Sequence, residues 1–404
     1  MAELKFQDIS FSEGKDSVRA NFLRIFCFEI PKEELSGIAP FKIDSHSISF
    51  ECPEKRASSR FYNLLERGFL KLKNSINGRK AVYIHRNSGI PLIGSNAFGI
   101  VDRNTSCVEV KPITGCNIDC GFCSVDEGLT GKKTNDIVVE EEYLISEFRK
   151  LAEKKKCGLE AHINANGEPL LYSRIVDLIR DLKAIPNVNT ISIDTNATML
   201  TKELAGEMAE AGLTRFNISL SAIDDAESSR INRCRLDTRH VMEIVEYAAT
   251  IADVIIAPVW IPGLNDSEIP KIIDFSKRIR NKSQKTPFIG IQNFLNYPHG
   301  RNPVKGIEME EFRKRLALIE KKSGEKLILG KEDFGIKETE KLQKPFKKGD
   351  IVSAEIKCEG RFPRERIACA KDRNITILSC DKDSGIVKVK ILRSKHNIFL
   401  AKKI

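Results

Sequence analysis

The chain has 404 residues, 41% of them hydrophobic and 30% charged, which is typical of a soluble globular protein with two or three domains. No apolar run approaches the length of a membrane span, and the N-terminal residues lack the basic-then-apolar order of a secretory signal. We therefore expect a cytoplasmic protein with no membrane partner. The net charge of +10 is uneven, because residues 344–404 hold 16 Lys and Arg against 7 Asp and Glu. Such a basic terminal segment is typical of a module that binds a polyanion.

Residues 1–100 combine short strand patterns with one helical pattern at Ser59–Ile76, and they carry no chemical motif. We predict an N-terminal α+β accessory domain there. From Cys107 onward, short apolar runs alternate with amphipathic helical patterns, which predicts parallel strands joined by helical crossovers. The predicted strands are Val108–Ile113, Leu159–Asn164, Thr190–Asp194, Arg215–Leu220, Val254–Trp260 and Phe288–Phe294. The predicted helices are Glu140–Lys156, Ser173–Ala184, Lys202–Ala211, Asp237–Ile251, Glu268–Arg280 and Glu308–Lys322.

Six such units fit either an open doubly wound sheet or a partial barrel. A polar segment at 336–346 then predicts a linker. Beyond it, five short runs alternate apolar and polar residues between Gly, Asp and Asn turns, which predicts a small all-β barrel. The predicted domains are 1–100 for the accessory domain, 101–335 for the α/β core, 336–346 for the linker and 347–404 for the barrel.

Three cysteines, Cys116, Cys120 and Cys123, follow the first predicted strand of the core in a glycine-containing loop. This spacing brings three thiolates to one iron–sulfur cluster and leaves one iron open for a substrate or cofactor. The alternatives are a zinc knuckle or three unrelated core cysteines. Zinc normally takes a fourth ligand at a comparable loop, and no His or Cys lies within thirty residues downstream of Cys123.

The segment from Cys116 to Cys123 resembles the CxxxCxΦC motif of the radical S-adenosylmethionine (SAM) superfamily, with Phe122 as the aromatic residue. Asn166-Gly167-Glu168-Pro169 is similar to the family's GGEP element, with Asn166 in place of the first glycine. The resemblance implies an α/β fold with a partial (β/α)6 barrel, a [4Fe–4S] cluster on the three cysteines, and SAM as cofactor. The residues it implies for SAM binding are Phe122, Asn166, Gly167, Glu168, Asp194, Asn196, Ser219, Ser221 and Gln292.

The same resemblance implies that one electron from the reduced cluster cleaves SAM to a 5′-deoxyadenosyl radical. A ferredoxin- or flavodoxin-like reductant would supply that electron. For each Ser or Asn at a strand end, strand capping or turn chemistry is an alternative role. Catalytic residues toward the substrate and the oligomeric state stay unassigned at this point.

The basic C-terminal barrel resembles a TRAM domain, a small OB-like RNA-binding barrel found in tRNA methylthiotransferases. This resemblance implies tRNA as the partner and a tRNA nucleoside as the substrate. The narrower expectation is radical methylation of a hypermodified adenosine, such as the threonylcarbamoyl type. The residues expected to contact RNA are Lys347, Lys348, Arg361, Arg364, Arg366, Lys388, Lys390, Arg393 and Lys395.

Several alternatives remain open from the sequence. Methylthiolation of tRNA would require a second cluster, for which Cys27, Cys52 and Cys107 are the available N-terminal cysteines. Radical modification of a peptide or a small metabolite would leave the barrel as a structural module with a solvated basic surface. A cluster protein without catalysis would produce no 5′-deoxyadenosine from SAM.

Overall fold

The computed structural model describes residues 2–279, 284 and 286–404. The strands, numbered along the chain, are β1 (Ala2–Lys5), β2 (Ile9–Glu13), β3 (Ser17–Phe22), β4 (Phe26–Pro31), β5 (Phe41–Ile43), β6 (Ser47–Phe50), β7 (Lys73–Asn74), β8 (Lys80–Ile84), β9 (Gly99–Asp102), β10 (Cys107–Lys111), β11 (Thr114–Gly115), β12 (Asn135–Val139), β13 (Leu159–Ile163), β14 (Asn166–Gly167), β15 (Val188–Thr195), β16 (Arg215–Ile218), β17 (Asp253–Ile256), β18 (Val259–Trp260), β19 (Gln292–Asn293), β20 (Ile351–Glu359), β21 (Arg366–Ala370), β22 (Arg373–Leu378), β23 (Gly385–Arg393) and β24 (Leu400–Lys403). The α-helices are α1 (Lys32–Ser36), α2 (Glu54–Phe69), α3 (Glu141–Ala152), α4 (Ile175–Lys183), α5 (Lys202–Ala211), α6 (Asp225–Asn232), α7 (Thr238–Ile251), α8 (Glu268–Ile279) and α9 (Met309–Ser323).

The central sheet has the strand order β17-β16-β15-β13-β10-β9. Five of its strands are parallel, and β9 pairs antiparallel with β10 at one edge. Side chains alternate between the two faces of each strand. On β15, Ile191 and Ile193 lie in the hydrophobic core, while Ser192 and Asp194 point to the opposite face and hydrogen-bond to His162. The face that carries Asp194 is therefore polar.

The first five predicted core strands are present, but the sixth, Phe288–Phe294, is not a continuous strand. It forms one bridge, between Ile256 and Ile289, and the two-residue strand β19, which pairs with β18. Four backbone hydrogen bonds nevertheless hold 288–294 beside 256–260, and between them Pro258 has no N–H to donate to this neighbour. The chain is therefore α/β, and the complete (β/α)6 barrel stays a prediction.

Predicted and observed helices differ mainly at their ends; α3, for example, ends at Ala152 and not at Lys156. The helix predicted at Ser59–Ile76 is α2, which begins directly after Pro53 and ends at Phe69. Helix α6 has no counterpart among the predicted helices. The predicted end of the fifth core helix, Arg280, lies outside the described residues.

The N-terminal region forms two sheets, with the strand orders β1-β6-β5 and β12-β8-β7-β4-β3-β2. Strand β12 comes from the predicted core segment, yet it pairs in parallel with β8. The side chains of both regions share one hydrophobic core. The boundary near residue 100 therefore stays a prediction, and the two regions pack as neighbours.

Residues 347–404 form a closed barrel with the strand order β20-β21-β22-β24-β23, as the alternating pattern predicted. It has its own core, in which the Phe346 and Phe399 rings meet edge to face at 5.2 Å. The segment 336–346 runs beside the β9–β10 connection, where Ser106 N donates to the Lys337 carbonyl oxygen at 2.7 Å. No helix within the described residues is long and apolar enough to cross a membrane.

Candidate functional site

The three motif cysteines face one cavity of about 330 Å³. Cys116 follows β11 at the carboxyl end of β10, and the segment 116–134, here called the cluster loop, continues to β12. Burial raises the pKa of the Cys116 and Cys120 thiols. Deprotonation of these two residues therefore depends on a positive charge brought by a bound metal.

Polar groups from other elements contact the three sulfur atoms. The Cys120 thiol donates to Asn232 Oδ1 at 3.1 Å, and the backbone N–H of Glu127 donates to Cys123 Sγ at 3.3 Å. Asn196 Nδ2 lies 3.9 Å from Cys116 Sγ. The spacing of the three cysteines in the sequence does not reveal these contacts.

Cys116, Cys120 and Cys123 open into the same cavity. Among the described residues, no group of three or more His, Cys, Asp or Glu side chains is arranged to hold one metal ion. Cysteines that bind different irons of a four-iron cluster do not need to converge on one point.

The Asn166-Gly167-Glu168 segment pairs with Gly115, the residue before Cys116. Strand β14 pairs in parallel with β11, so that Gly167 lies opposite Gly115. Gly167 has φ +141°, and a Cβ at this position would lie 1.7 Å from the Gly115 carbonyl oxygen. The same oxygen accepts the Glu168 N–H at 2.9 Å. Only glycine fits here, which explains its place in the predicted element.

Glu168 is 1% exposed, and its carboxylate accepts hydrogen bonds from the end of β15 and from the residue that follows this strand. Its Oε1 accepts from Thr195 Oγ1 at 2.7 Å and from Leu170 N at 3.0 Å, while Oε2 accepts from Asn196 N at 2.8 Å. Burial raises the pKa of Glu168 to about 7, although these donors lower it. The carboxylate therefore orients Asn196 toward Cys116 and borders the cavity at the same time.

Asp194 presents a second carboxylate to the cavity. It accepts from Asn217 Nδ2 at 2.8 Å, and His162 Nε2 lies 3.2 Å from its other oxygen. Burial raises the pKa of Asp194, but His162 and Asn217 outweigh it, so the net pKa is lowered. Asp194 in turn helps to raise the pKa of His162, despite the burial of that ring. Asp194 therefore stays ionised in the cavity wall.

Eight of the nine residues predicted to bind SAM line this cavity, and Asn166 is the exception. Ser221 is buried, and its hydroxyl accepts the Val259 N–H at 3.1 Å, so it also fastens β18. Ser219 is exposed and lies beyond the end of β16. The eight residues are Phe122, Gly167, Glu168, Asp194, Asn196, Ser219, Ser221 and Gln292.

Arg301 supports the cluster loop and was not predicted. Its Nε donates to Asp126 Oδ1 at 2.7 Å and its Nη2 donates to Asp119 Oδ1 at 2.8 Å. Its Nη1 donates to the Asp119 and Cys120 carbonyl oxygens at 2.6 and 3.0 Å. No spacing in the sequence links it to the cysteines, because it is brought to them from the loop after β19.

Two of the nine basic residues predicted to bind RNA are not available for that role. Arg361 pairs with the buried carboxylates of Glu127 and Asp136, and Arg366 pairs with Asp383. Both arginine side chains are mostly buried, so phosphate contact by them is an incorrect expectation. The other seven are exposed and form no ion pair with any described residue, namely Lys347, Lys348, Arg364, Lys388, Lys390, Arg393 and Lys395.

The chain is similar to several known proteins. The family model "Radical SAM superfamily" matches residues 110–276. An uncharacterized protein of Methanocaldococcus jannaschii is 35% identical over 404 residues, covering 92% of each chain. GTP 3′,8-cyclase of Listeria monocytogenes is 36% identical over 173 residues, which cover 42% of this chain and 50% of the cyclase. The crystal structure of Streptococcus suis SuiB bound to SAM aligns with a TM-score of 0.44 and 14% identity, over 81% of this chain and 72% of SuiB.

The donor set fits the cofactors of that superfamily. Three thiols open into a cavity that also contains the carboxylates of Glu168 and Asp194, which suit the cationic groups of SAM. Cys116, Cys120 and Cys123 are the residues that would hold the cluster. The chain therefore belongs to the radical SAM superfamily, whose enzymes use a [4Fe–4S] cluster and SAM.

Proposed function

We propose that this radical SAM enzyme modifies a nucleoside within a tRNA. In its narrower form, the proposal is radical methylation of a hypermodified adenosine such as the threonylcarbamoyl type. When bound, the cluster and SAM would supply radical chemistry that starts with one electron from a ferredoxin- or flavodoxin-like protein, and a second SAM would supply the methyl group that replaces the hydrogen atom of the substrate. The protein itself must bind the RNA, bring one nucleoside into the cavity and exclude water.

The observation that carries the proposal is the set of unpaired cations on the barrel. In the same barrel, Lys357 pairs with Glu355 and Lys403 pairs with Asp381. Lys390, in contrast, lies directly opposite Lys402 across β23 and β24. Like charges in this arrangement destabilise a sheet, and a bound polyanion would offset that cost. The unpaired cations therefore favour a phosphate backbone as their partner.

The charge of the cavity supports different roles for the α/β core, which would hold the nucleoside, and for the barrel, which would hold the phosphates. Three carboxylates, those of Glu127, Glu168 and Asp194, line the cavity, and no Lys or Arg is found among its described lining residues. Phosphate groups need cations or N–H donors, so a free nucleoside triphosphate is a poor fit, whereas an uncharged base and ribose suit the space. The phosphates of an RNA would instead stay outside, on the barrel.

Aromatic side chains connect the mouth of the cavity to the barrel. Tyr297 lines the cavity and is 43% exposed. Two residues later, the exposed His299 ring lies 5.0 Å from the Phe362 ring of the barrel. The buried Lys133 covers the Phe362 ring, with its Nζ 4.4 Å from the ring centre, which leaves Tyr297 and His299 as the exposed rings. Bases of unpaired RNA stack on exposed rings, which favours a nucleotide from a loop over one in a duplex.

The test measures tRNA affinity against salt concentration for the wild type and for the triple variant Lys388→Ala/Lys390→Ala/Arg393→Ala. Each phosphate contact contributes roughly −0.7 to −0.9 to the slope of log K against log salt. We expect the triple variant to bind more weakly and to lower the slope by about 2. The matched control removes three exposed cations of α9, Arg313, Lys321 and Lys322, and should keep the wild-type slope.

Weak, salt-insensitive binding by the wild type, or equal effects of both triple variants, would exclude the RNA proposal. It would favour a peptide or a small metabolite as the substrate. Methylthiolation of tRNA would require Cys27, Cys52 and Cys107 to hold a second cluster. Their positions do not favour it, because Cys27 lies on β4, Cys52 follows β6 and Cys107 lies on β10. These strands belong to three different sheets.

A further inference from the structure

One buried arginine of the barrel, Arg361, contacts the cluster loop. Arg361 lies between β20 and β21, and its side chain is 4% exposed. Its Nη2 is 2.7 Å from Glu127 Oε1 and 3.2 Å from Asp136 Oδ1. Its Nε donates to the Asn135 carbonyl oxygen at 2.8 Å, and its own carbonyl oxygen accepts the Thr134 N–H at 2.9 Å. One residue of the barrel therefore contacts both the cluster loop and the start of β12.

Glu127 contacts Cys123, one of the three residues that would hold the cluster. Its backbone N–H donates to Cys123 Sγ at 3.3 Å, while its side chain borders the cavity. Arg79 Nη1, from the N-terminal region, lies 3.8 Å from Glu127 Oε2. Arg79 Nη2 donates to the Gly128 and Gly131 carbonyl oxygens at 2.6 and 2.9 Å. Two guanidinium groups from outside the central sheet thus fix the stretch of backbone that carries the N–H···S hydrogen bond.

The pairing with Arg361 decides where Glu127 lies. The Glu127 side chain is only 1% exposed, and a buried carboxylate lies where a cation faces it. Without Arg361, the guanidinium in closest contact would be that of Arg79, which lies 3.8 Å from the other carboxylate oxygen. The Glu127 side chain would then turn away from the barrel, and this turn would pull its backbone N–H away from Cys123.

We propose that Arg361 is a positioning residue for the iron–sulfur centre. It holds Glu127 so that the backbone N–H of this residue keeps its hydrogen bond to Cys123. Hydrogen bonds to the sulfurs set the reduction potential of an iron–sulfur cluster, because they withdraw negative charge from the thiolates. The barrel therefore governs how readily the centre accepts an electron. This role is independent of whether the substrate is an RNA.

The test is a redox titration of the reconstituted holoenzyme, followed by electron paramagnetic resonance (EPR). We compare the wild type with Arg361→Gln, Arg361→Lys and Glu127→Gln. Loss of the hydrogen bond should shift the midpoint potential downward in R361Q and E127Q, with a smaller shift in R361K, which keeps the charge. In the double variant R361Q/E127Q the shift should be smaller than the sum of the single shifts, because both residues act through one contact.

The matched control is Arg366→Gln, a buried arginine whose contacts lie within the barrel. R366Q should keep the wild-type potential and EPR signal even if it lowers the stability of the barrel. Wild-type potentials in both R361Q and E127Q would overturn the proposal, as would equal shifts in R361Q and R366Q. If R361Q does not fold, R361K and E127Q decide the question, and wild-type potentials in both would then refute it.

Discussion

Replacing Gly167 by alanine should damage both the fold and the cluster site. The new Cβ would lie 1.7 Å from the Gly115 carbonyl oxygen, and φ is +141° at this position. Backbone strain of this kind costs of the order of 1–3 kcal/mol. The clash is with backbone, so no side chain can move away, and the forced shift adds about 1–3 kcal/mol more. We expect Gly167→Ala to lose roughly 2–6 kcal/mol of unfolding free energy.

The assay has two measurements, urea unfolding of the iron-free protein and iron bound per chain after anaerobic reconstitution. The control is Gly263→Ala, since Gly263 also has positive φ, +77°, but nothing lies within 4 Å of its added Cβ. That variant should lose only about 1–2 kcal/mol and bind iron like the wild type. If both variants were equally stable and bound equal iron, the pairing of β11 with β14 would not hold Cys116 in place.

Two further stability predictions follow from buried polar groups. Burial raises the pKa of Glu168 from 4.5 to about 7, so the folded protein binds more protons in this window and its stability falls as the pH rises through it. Glu168→Gln should remove this loss of about 3 kcal/mol, which urea unfolding would detect as a smaller fall in the midpoint between pH 5 and pH 8 than in the wild type. Asn265 is fully buried and hydrogen-bonds to Ser221 O, Val259 O and Ile261 N, so Asn265→Ala should cost at least about 3 kcal/mol. The exposed Asn296→Ala serves as its control in thermal unfolding, and similar losses in both variants would contradict the reasoning.

Local patterns predicted much of the fold because each signal is contained in a short segment. Helix α5 was predicted with its observed bounds, Lys202–Ala211, since Thr201 caps its first turn and Gly212 adopts the left-handed conformation that ends it. The three cysteines could also be predicted to share a site, because they lie in one loop. The order of apolar runs was enough to predict five parallel strands and a closed barrel.

Features that depend on distant partners could not be predicted. The type of residue identified Arg361 and Arg366 as cations, but only the fold determines that the buried carboxylates of Glu127 and Asp136 face Arg361 and that Asp383 faces Arg366. The sixth strand looked continuous because its apolar pattern is intact. It is interrupted where Pro258, in the neighbouring segment of the sheet, has no N–H to donate to it. Arg301 likewise has no local signal, since its partners Asp119 and Asp126 lie in the cluster loop.

The most direct test of the account is an anaerobic reaction of the reconstituted enzyme with SAM, a reductant and tRNA from a strain that lacks the gene. Nucleosides from the digested tRNA and 5′-deoxyadenosine are quantified together by mass spectrometry. We predict that one modified adenosine gains the mass of one CH2 group as 5′-deoxyadenosine forms, because a methyl group replaces a hydrogen atom, and that a variant with Cys116, Cys120 and Cys123 changed to alanine gives neither product. Formation of 5′-deoxyadenosine with every tRNA nucleoside unchanged would contradict the proposed substrate, and absence of both products with the wild type would contradict the proposed reaction.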